Sequence, residues 1–169
     1  PVTDHCPGYG SAAKYIATSL KEIIRDNESF GAKKPTICIV EIMGRNAGWL
    51  TAAAALAKGD DCSGCDAIYL PEKVFDMDAF MAKVKELAAT KSSVVIAVSE
   101  GIHIADGRYV CELANENVAV DAFGHKQMSG TAAYLAQQVA SETGLKTRAV
   151  EFSTLQRAAT HLASLTDIN

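Results

Sequence analysis

Residues 36–50, TICIVEIMGRNAGWL, decide how this chain folds. Thr36 to Ile42 is β-branched or apolar at almost every position, the pattern of a strand covered on both faces. The run ends at Gly44 and Arg45. Asn46 then stands where a helix would be capped, and Trp49, Leu50, Ala53 and Leu56 follow at helical spacing toward Gly59. A buried strand feeding straight into a helix is the first half of a βαβ unit. The fixed positive charge at the junction needs a reason. Gly44 lets a ligand approach the backbone, Arg45 offers a planar fork of donors suited to phosphate, and a helix start presents free N–H groups. These features predict an anion site; a solvated arginine beside a turn is the plainer alternative.

The same alternation continues along the chain. Ala12, Ile16, Leu20 and Ile24 predict a helix from Gly8 to about Arg25. Ala67–Leu70 is a second strand, stopped by Pro71, and Asp76 opens a helix whose apolar face is Met77, Phe80, Met81, Val84, Leu87 and Ala88. Ser93–Val98 is a third strand, and the Asp106-Gly107 pair within Ile104–Val110 predicts a small hairpin. Met128, Ala132, Leu135, Ala136 and Val139 predict a helix from about Gln127, closed by Gly144. A fourth strand, Thr147–Phe152, and a short helix near Ala159–Leu165 complete the pattern. The fold class is therefore α/β: a three-layer αβα arrangement with a mostly parallel sheet of about four strands, helices on both faces and a small hairpin insertion.

Ligands of open parallel sheets collect beyond the carboxyl ends of the strands. Met43-Gly44-Arg45, Leu70-Pro71-Glu72, Ser99-Glu100-Gly101 and Ser153-Thr154-Leu155-Gln156-Arg157 follow the four strands in turn. Two arginines, two carboxylates and several hydroxyls are thus expected at one edge. Arg148 lies inside the fourth strand on the face of Val150 and Phe152, an awkward place for a charge unless that strand is an edge or meets a partner.

The 169 residues carry 16 basic and 20 acidic side chains, a net charge of -4, which argues against a nucleic-acid surface. No apolar run approaches the roughly 20 residues of a membrane span, and nothing at the start has the pattern of a signal peptide. The chain, 1–169, is long enough for a single domain. It opens Pro1-Val2-Thr3, without a methionine, and is expected to be a piece of a longer, cytoplasmic protein. Five cysteines with scattered spacing do not make a disulfide framework. Cys62 and Cys65 form a C-x-x-C pair, redox-active or half of a zinc site in principle, but with only His5, Cys6, His103 and Cys111 as stray partners they are taken as two reduced thiols. Trp49 is expected in the core, with a pocket wall as the alternative, Asp60-Asp61 in a solvated turn, and His125 and His161 in structural or solvated places. Glu41, a charge inside an apolar strand, is expected to have a buried partner.

Several stretches together resemble the phosphofructokinases. EIMGRNAGWL (41–50) looks like their Met-Gly-Arg motif, and VEFSTLQRAATHLASLTD (150–167) resembles their Leu-Gln-Arg segment. TDHCPGYGSAAKYIATSL (3–20) is similar to the helix after their catalytic Thr-Ile-Asp-Asn-Asp loop. VSEGI (98–102) and the FGH-x-Q-x-x-G stretch at Phe123–Gly130 fit as well. The resemblance implies the sugar-phosphate-binding half of a kinase that moves a phosphoryl group from ATP or pyrophosphate, with magnesium, to the 1-hydroxyl of fructose 6-phosphate. It implies that Met43 and Gly44 line the sugar site and that Arg45 reaches toward the phosphoryl group in transfer. Glu100 would accept bonds from sugar hydroxyls, and Arg148 and Arg157 would clamp the 6-phosphate, Arg148 across a subunit interface of a homo-oligomer. The catalytic aspartate and the donor and magnesium loops would lie upstream of Pro1. Neither a metal nor a tightly bound cofactor is then expected on this chain, and it should not turn over alone. A catalytically silent sugar-phosphate sensor of the same fold is the alternative, and a nucleotide-binding domain opening at Gly8-Tyr9-Gly10 is a further one, though the Walker lysine pattern is missing. Thr154, Ala158, Ala159 and Thr36 depart from the family pattern, Lys33 and Lys34 being close enough to stand in for an arginine at Thr36 but placed more simply on the surface. The Asn46–Leu50 continuation points to the pyrophosphate-dependent or mixed branch.

Overall fold

The computed structural model describes residues 7–30, 33–113 and 130–168. Four parallel strands, β1 (Thr36–Ile42), β2 (Ala67–Tyr69), β3 (Ser93–Ser99) and β4 (Lys146–Glu151), stand in the order β2-β3-β1-β4. Each of the seven residues of β1 is buried, as its unbroken apolar run predicts. Its even positions Cys38, Val40 and Ile42 pack with Ile16, Leu20 and Ile24 of α1 (Tyr9–Ser29). Its odd positions Ile37 and Ile39 pack with Phe80, Val84 and Leu87 of α3 (Met77–Thr90) and with Leu135 and Val139 of α4 (Thr131–Thr143). The three-layer αβα architecture follows directly from this alternation.

Local signals set several boundaries. The Asp76 side chain accepts from Ala79 N–H at 2.9 Å and starts α3 where a cap was expected. Gly144 ends α4 with φ +67°. The expected hairpin is a tight turn, with Ile104 N–H donating to Arg108 O at 3.0 Å and a single antiparallel bridge between His103 and Tyr109. The expected helix near Ala159 is instead α5 (Leu155–Ala158), a 3-10 turn at Thr160–Leu162 and α6 (Leu165–Ile168). Asp167 of α6 accepts from Gly8 N–H at 2.9 Å and so caps α1 from the far end of the chain. The helix expected from Asn46 starts later: α2 is only Trp49–Ala52, capped by Gly48, and gives way to a 3-10 turn at Ala53–Ala57. Phe123–Ser129, the start of the helix expected from Gln127, His125, His5 and Cys6 lie outside the described residues.

This topology has a functional consequence. The segment after β1 packs on the α1 face, whereas α4, which follows β3, packs on the opposite face. β1 and β3 are neighbours, so the chain leaves their carboxyl ends in opposite directions and a crevice opens between them.

Candidate functional site at the carboxyl edge of the sheet

Met43-Gly44-Arg45 and Ser99-Glu100-Gly101 meet at that crevice. Gly44 has φ +152°, and a Cβ there would lie 2.7 Å from the Ala47 carbonyl oxygen. Gly44 N–H donates to Glu100 Oε1 at 3.2 Å, and the Ser99 hydroxyl donates to Gly44 O while accepting from Gly101 N–H at 3.2 Å. Glu100 N–H continues the strand ladder by donating to Ile42 O at 3.0 Å. The two loops press together so closely that a Cβ on Gly101 would stand 1.9 Å from Arg45 O. Only a glycine permits that approach.

The end of β4 closes the third side. Ser153 takes a left-handed conformation, φ 47°, and turns the chain into α5. Gln156, 2% exposed, reaches back across the edge: its Oε1 accepts from Met43 N–H at 3.1 Å and its Nε2 donates to Ser153 O at 2.8 Å. Arg157 follows it on the exposed side.

The electrostatics bring three of the expected residues together. Burial raises the Glu100 carboxyl above the ordinary range, opposed by the bond from Gly44 N–H and by the charges of Arg45 and Arg157. Both guanidiniums are thus near enough to favour the Glu100 carboxylate. Glu41, 5% exposed on the other face of β1, has the buried partner its position demanded: Ala132 N–H at the start of α4 donates to its Oε2 at 2.8 Å. Burial pushes its carboxyl up to about 7 against that bond, and the charges of Glu151 and Glu100 push the same way. Thr131, beside Ala132, donates to Glu100 O at 3.2 Å, so α4 is tied both to β1 and to the crevice.

Arg148 is not at this edge within one chain. It pairs in register with Cys38, and its Nη2 donates to Asp26 Oδ2 at 2.9 Å and Asn27 Oδ1 at 3.3 Å near the end of α1. Its guanidinium also lies 4.6 Å from the centre of the Phe30 ring. Two conditions thus resolve its awkward position: β4 is an edge strand, and a carboxylate of the same chain meets the charge. The expected helix start beside Arg45 is also corrected. Gly48 N–H is occupied by Glu72 Oε1 at 2.6 Å and α2 is a single turn starting at Trp49, so this short helix start is met by a carboxylate of the same chain. Trp49, expected in the core, is 72% exposed. Asp61 pairs with Lys21 and Arg25 in the solvated turn its sequence suggests. Burial pushes Cys65 up to about 12, which disfavours the thiolate that exchange or zinc binding needs. Among the described residues no group of three or more His, Cys, Asp or Glu side chains is arranged to hold a metal ion.

Glu72, Ser99, Gly101 and Gln156 were expected at this edge only as strand-end residues, without roles. The bonds of Gln156 to Met43 N–H, Ser99 to Gly44 O and Glu72 to Gly48 N–H, and the close approach at Gly101, join distant segments that no local pattern pairs.

Residues 1–160 match the family described as Phosphofructokinase. The chain is 45% identical over 166 residues to the pyrophosphate–fructose 6-phosphate 1-phosphotransferase of Xanthomonas campestris pv. campestris, covering 98% of this chain and 39% of that protein. It is 41% identical over 168 residues to the protein of the same name from Methylococcus capsulatus, covering 99% and 39%. Among solved structures, the pyrophosphate-dependent phosphofructokinase from Nitrosospira multiformis superposes with a TM-score of 0.75 at 36% identity, over 99% of this chain and 38% of that one. The chain spans about two fifths of the length of these relatives.

Proposed function

Because the chain belongs to the phosphofructokinase family, we propose that it is the fructose 6-phosphate-binding part of a pyrophosphate-dependent 6-phosphofructokinase. The observation that supports this reading best is the placement of Arg45, Glu100 and Arg157 just past the carboxyl ends of β1, β3 and β4, neighbouring strands of one parallel sheet. Phosphoryl transfer demands positioning and charge stabilisation more than covalent work by the protein. In this reading Met43 and Gly44 line the sugar site, Glu100 orients sugar hydroxyls and Arg45 meets the negative charge of the phosphoryl group in transfer. Arg157 holds the 6-phosphate, joined by Arg148 from a second copy in a homo-oligomer. The 1-hydroxyl is the acceptor. The general base and the donor loops belong to the rest of the whole protein.

Magnesium is the ion the reaction class implies, and the described residues do not build a site for it. The names of the relatives support pyrophosphate rather than ATP as donor. No described helix is long and apolar enough to cross a membrane, and a cytoplasmic, glycolytic setting is part of the same proposal.

The test is turnover by the whole enzyme on fructose 6-phosphate and magnesium with each donor. Fructose bisphosphate is expected with pyrophosphate, at least about tenfold faster than with ATP. Preference for ATP would reverse the donor assignment. Binding of fructose 6-phosphate without product from either donor would favour the silent sensor. Residues 1–169 alone should give no product.

A further inference from the structure

β1 and β4 pair through their backbones until Phe152 N–H donates to Glu41 O at 3.3 Å. Beyond that rung the two chains part, one toward Arg45 and the other toward Arg157. The next donor on the β1 side, Met43 N–H, is met by a side chain: Gln156 Oε1, at 3.1 Å. The Nε2 of the same amide donates to Ser153 O at 2.8 Å. A carboxamide has the donor and acceptor of a peptide group, and here it acts as one further rung where the ladder has ended.

The placement is exacting. Gln156 is 2% exposed, whereas Met43 is half-buried and Ser153 exposed, so loss of the amide would strip Met43 N–H of its partner in a partly dry place and release the Ser153 carbonyl from its hold on the turn. Ser153 is held at φ 47°, a conformation uncommon for a residue with a β-carbon, and the Gln156 bond lands on its carbonyl. Leu155 N–H donates to Phe152 O at 3.2 Å and completes the turn. Arg157 is the neighbour of Gln156, and Arg45 lies two residues past Met43. One buried amide therefore joins the two segments that carry the arginines felt by Glu100.

We infer that Gln156 is a positioning residue that sets the spacing between Arg45 and Arg157, and through it the fit of the site to a sugar phosphate. The inference rests on the fructose 6-phosphate reading above. A glutamate would keep the acceptor but turn a carboxylate toward the Ser153 carbonyl. A methionine keeps the length and approximate volume while removing both bonds, which makes it the informative change.

The experiment uses the whole enzyme, with wild type, Gln156→Met, Arg157→Ala and the double variant compared in steady-state kinetics. For Gln156→Met the KM for fructose 6-phosphate should rise about tenfold, with kcat falling less than about threefold and the KM for pyrophosphate within about twofold. In the Arg157→Ala background the same change should move the sugar-phosphate KM by less than about twofold, because the residue through which Gln156 acts is gone. A merely structural glutamine would lower the melting temperature and the amount of active enzyme and leave KM unchanged; that result would overturn the inference. If Gln156→Met does not fold, Gln156→Asn keeps the carboxamide but withdraws it by one methylene. It should raise KM about threefold, and an unchanged KM in that soluble variant has the same overturning force. A wild-type enzyme that does not saturate with fructose 6-phosphate would instead defeat the functional reading, and the inference with it.

Discussion

The two ends of the sheet use their polar side chains in different proportions. Near the amino edge, side chains mostly pair with each other: Arg148 meets Asp26 and Asn27, and Asn27 in turn donates to Ser93 Oγ at 2.7 Å, its amide also reaching Thr36 O at 3.3 Å. At the carboxyl edge, side chains hold backbone. Ser99 binds the Gly44 carbonyl, Glu100 the Gly44 N–H, Gln156 the Met43 N–H and Glu72 the Gly48 N–H. Mutual pairing satisfies charge locally and asks nothing of a ligand. Fixing the path of a loop before anything binds is what a site needs if it is to meet a phosphate without reorganising. The same residue type, arginine, is a strand-edge partner at one end and part of the proposed site at the other.

The sharpest way to break the carboxyl edge alone is Gly101→Ala. Its Cβ would lie 1.9 Å from the Arg45 carbonyl, so one of the two loops must move. Overpacking of this kind costs about 1–3 kcal/mol or more, and the displaced loop carries Arg45. The expected result in the whole enzyme is a fall in kcat/KM of about 100-fold with a melting temperature lowered by a few degrees. Wild-type kinetics from this variant would show that the contact of the two loops has no bearing on the site.

Arginine substitutions then set one edge against the other. A charge-assisted bond to phosphate is worth about 1.5–3 kcal/mol, so Arg157→Ala should raise the KM for fructose 6-phosphate by more than about tenfold. Arg148 lies at a partly exposed ion pair, and if it served only its own chain its removal would cost about 1 kcal/mol or less of stability and leave KM alone. The proposed oligomer predicts something else: a smaller but clear rise, about five- to tenfold. It also predicts that mixing Arg148→Ala with Arg157→Ala subunits restores near-normal affinity in a fraction of sites. Failure of the mixture to complement would confine Arg148 to the structural role that its bonds to Asp26 and Asn27 already display.

How much of this was legible in the sequence follows the range of the forces involved. β1, β3, the Asp76 cap and the alternate faces of β1 rest on local periodicity, and those expectations hold. The meeting of Arg45, Glu100 and Arg157 was also legible, because parallel topology places all strand ends on one side. Strand order was not legible, nor was the shortening of the helix after Asn46. Gly48 N–H is claimed by Glu72, 24 residues away, and no local pattern announces it. The partners of Arg148 lie 122 and 121 residues from it, and the bond from Met43 to Gln156 spans 113. Side-chain-to-backbone bonds of that range depend on the finished fold and leave no periodic trace. The parity of Arg148 on β4 did signal that something had to meet it.

The mildest test lies between the two edges, at Glu41. Its folded carboxyl is raised to about 7 from an ordinary value of 4.5, so the folded state binds its proton more tightly than the unfolded chain does. Its contribution is therefore fully present below the unfolded value and is lost as pH rises through the folded one, making stability fall between about pH 4.5 and 7. Glu41→Gln keeps an acceptor for Ala132 N–H and removes the proton. The variant should lose this slope and gain about 1–3 kcal/mol relative to wild type at pH 8, with little difference at pH 4.5. Denaturant melts of both proteins across that range measure it. Activity at neutral pH should change by less than about threefold, since α4 stays tied to Glu100 through Thr131. Parallel stability–pH curves for the two proteins would mean that Glu41 is ionised in the fold at no cost, and that the backbone donors of Gly130 and Ala132 at the α4 amino end offset its burial in full.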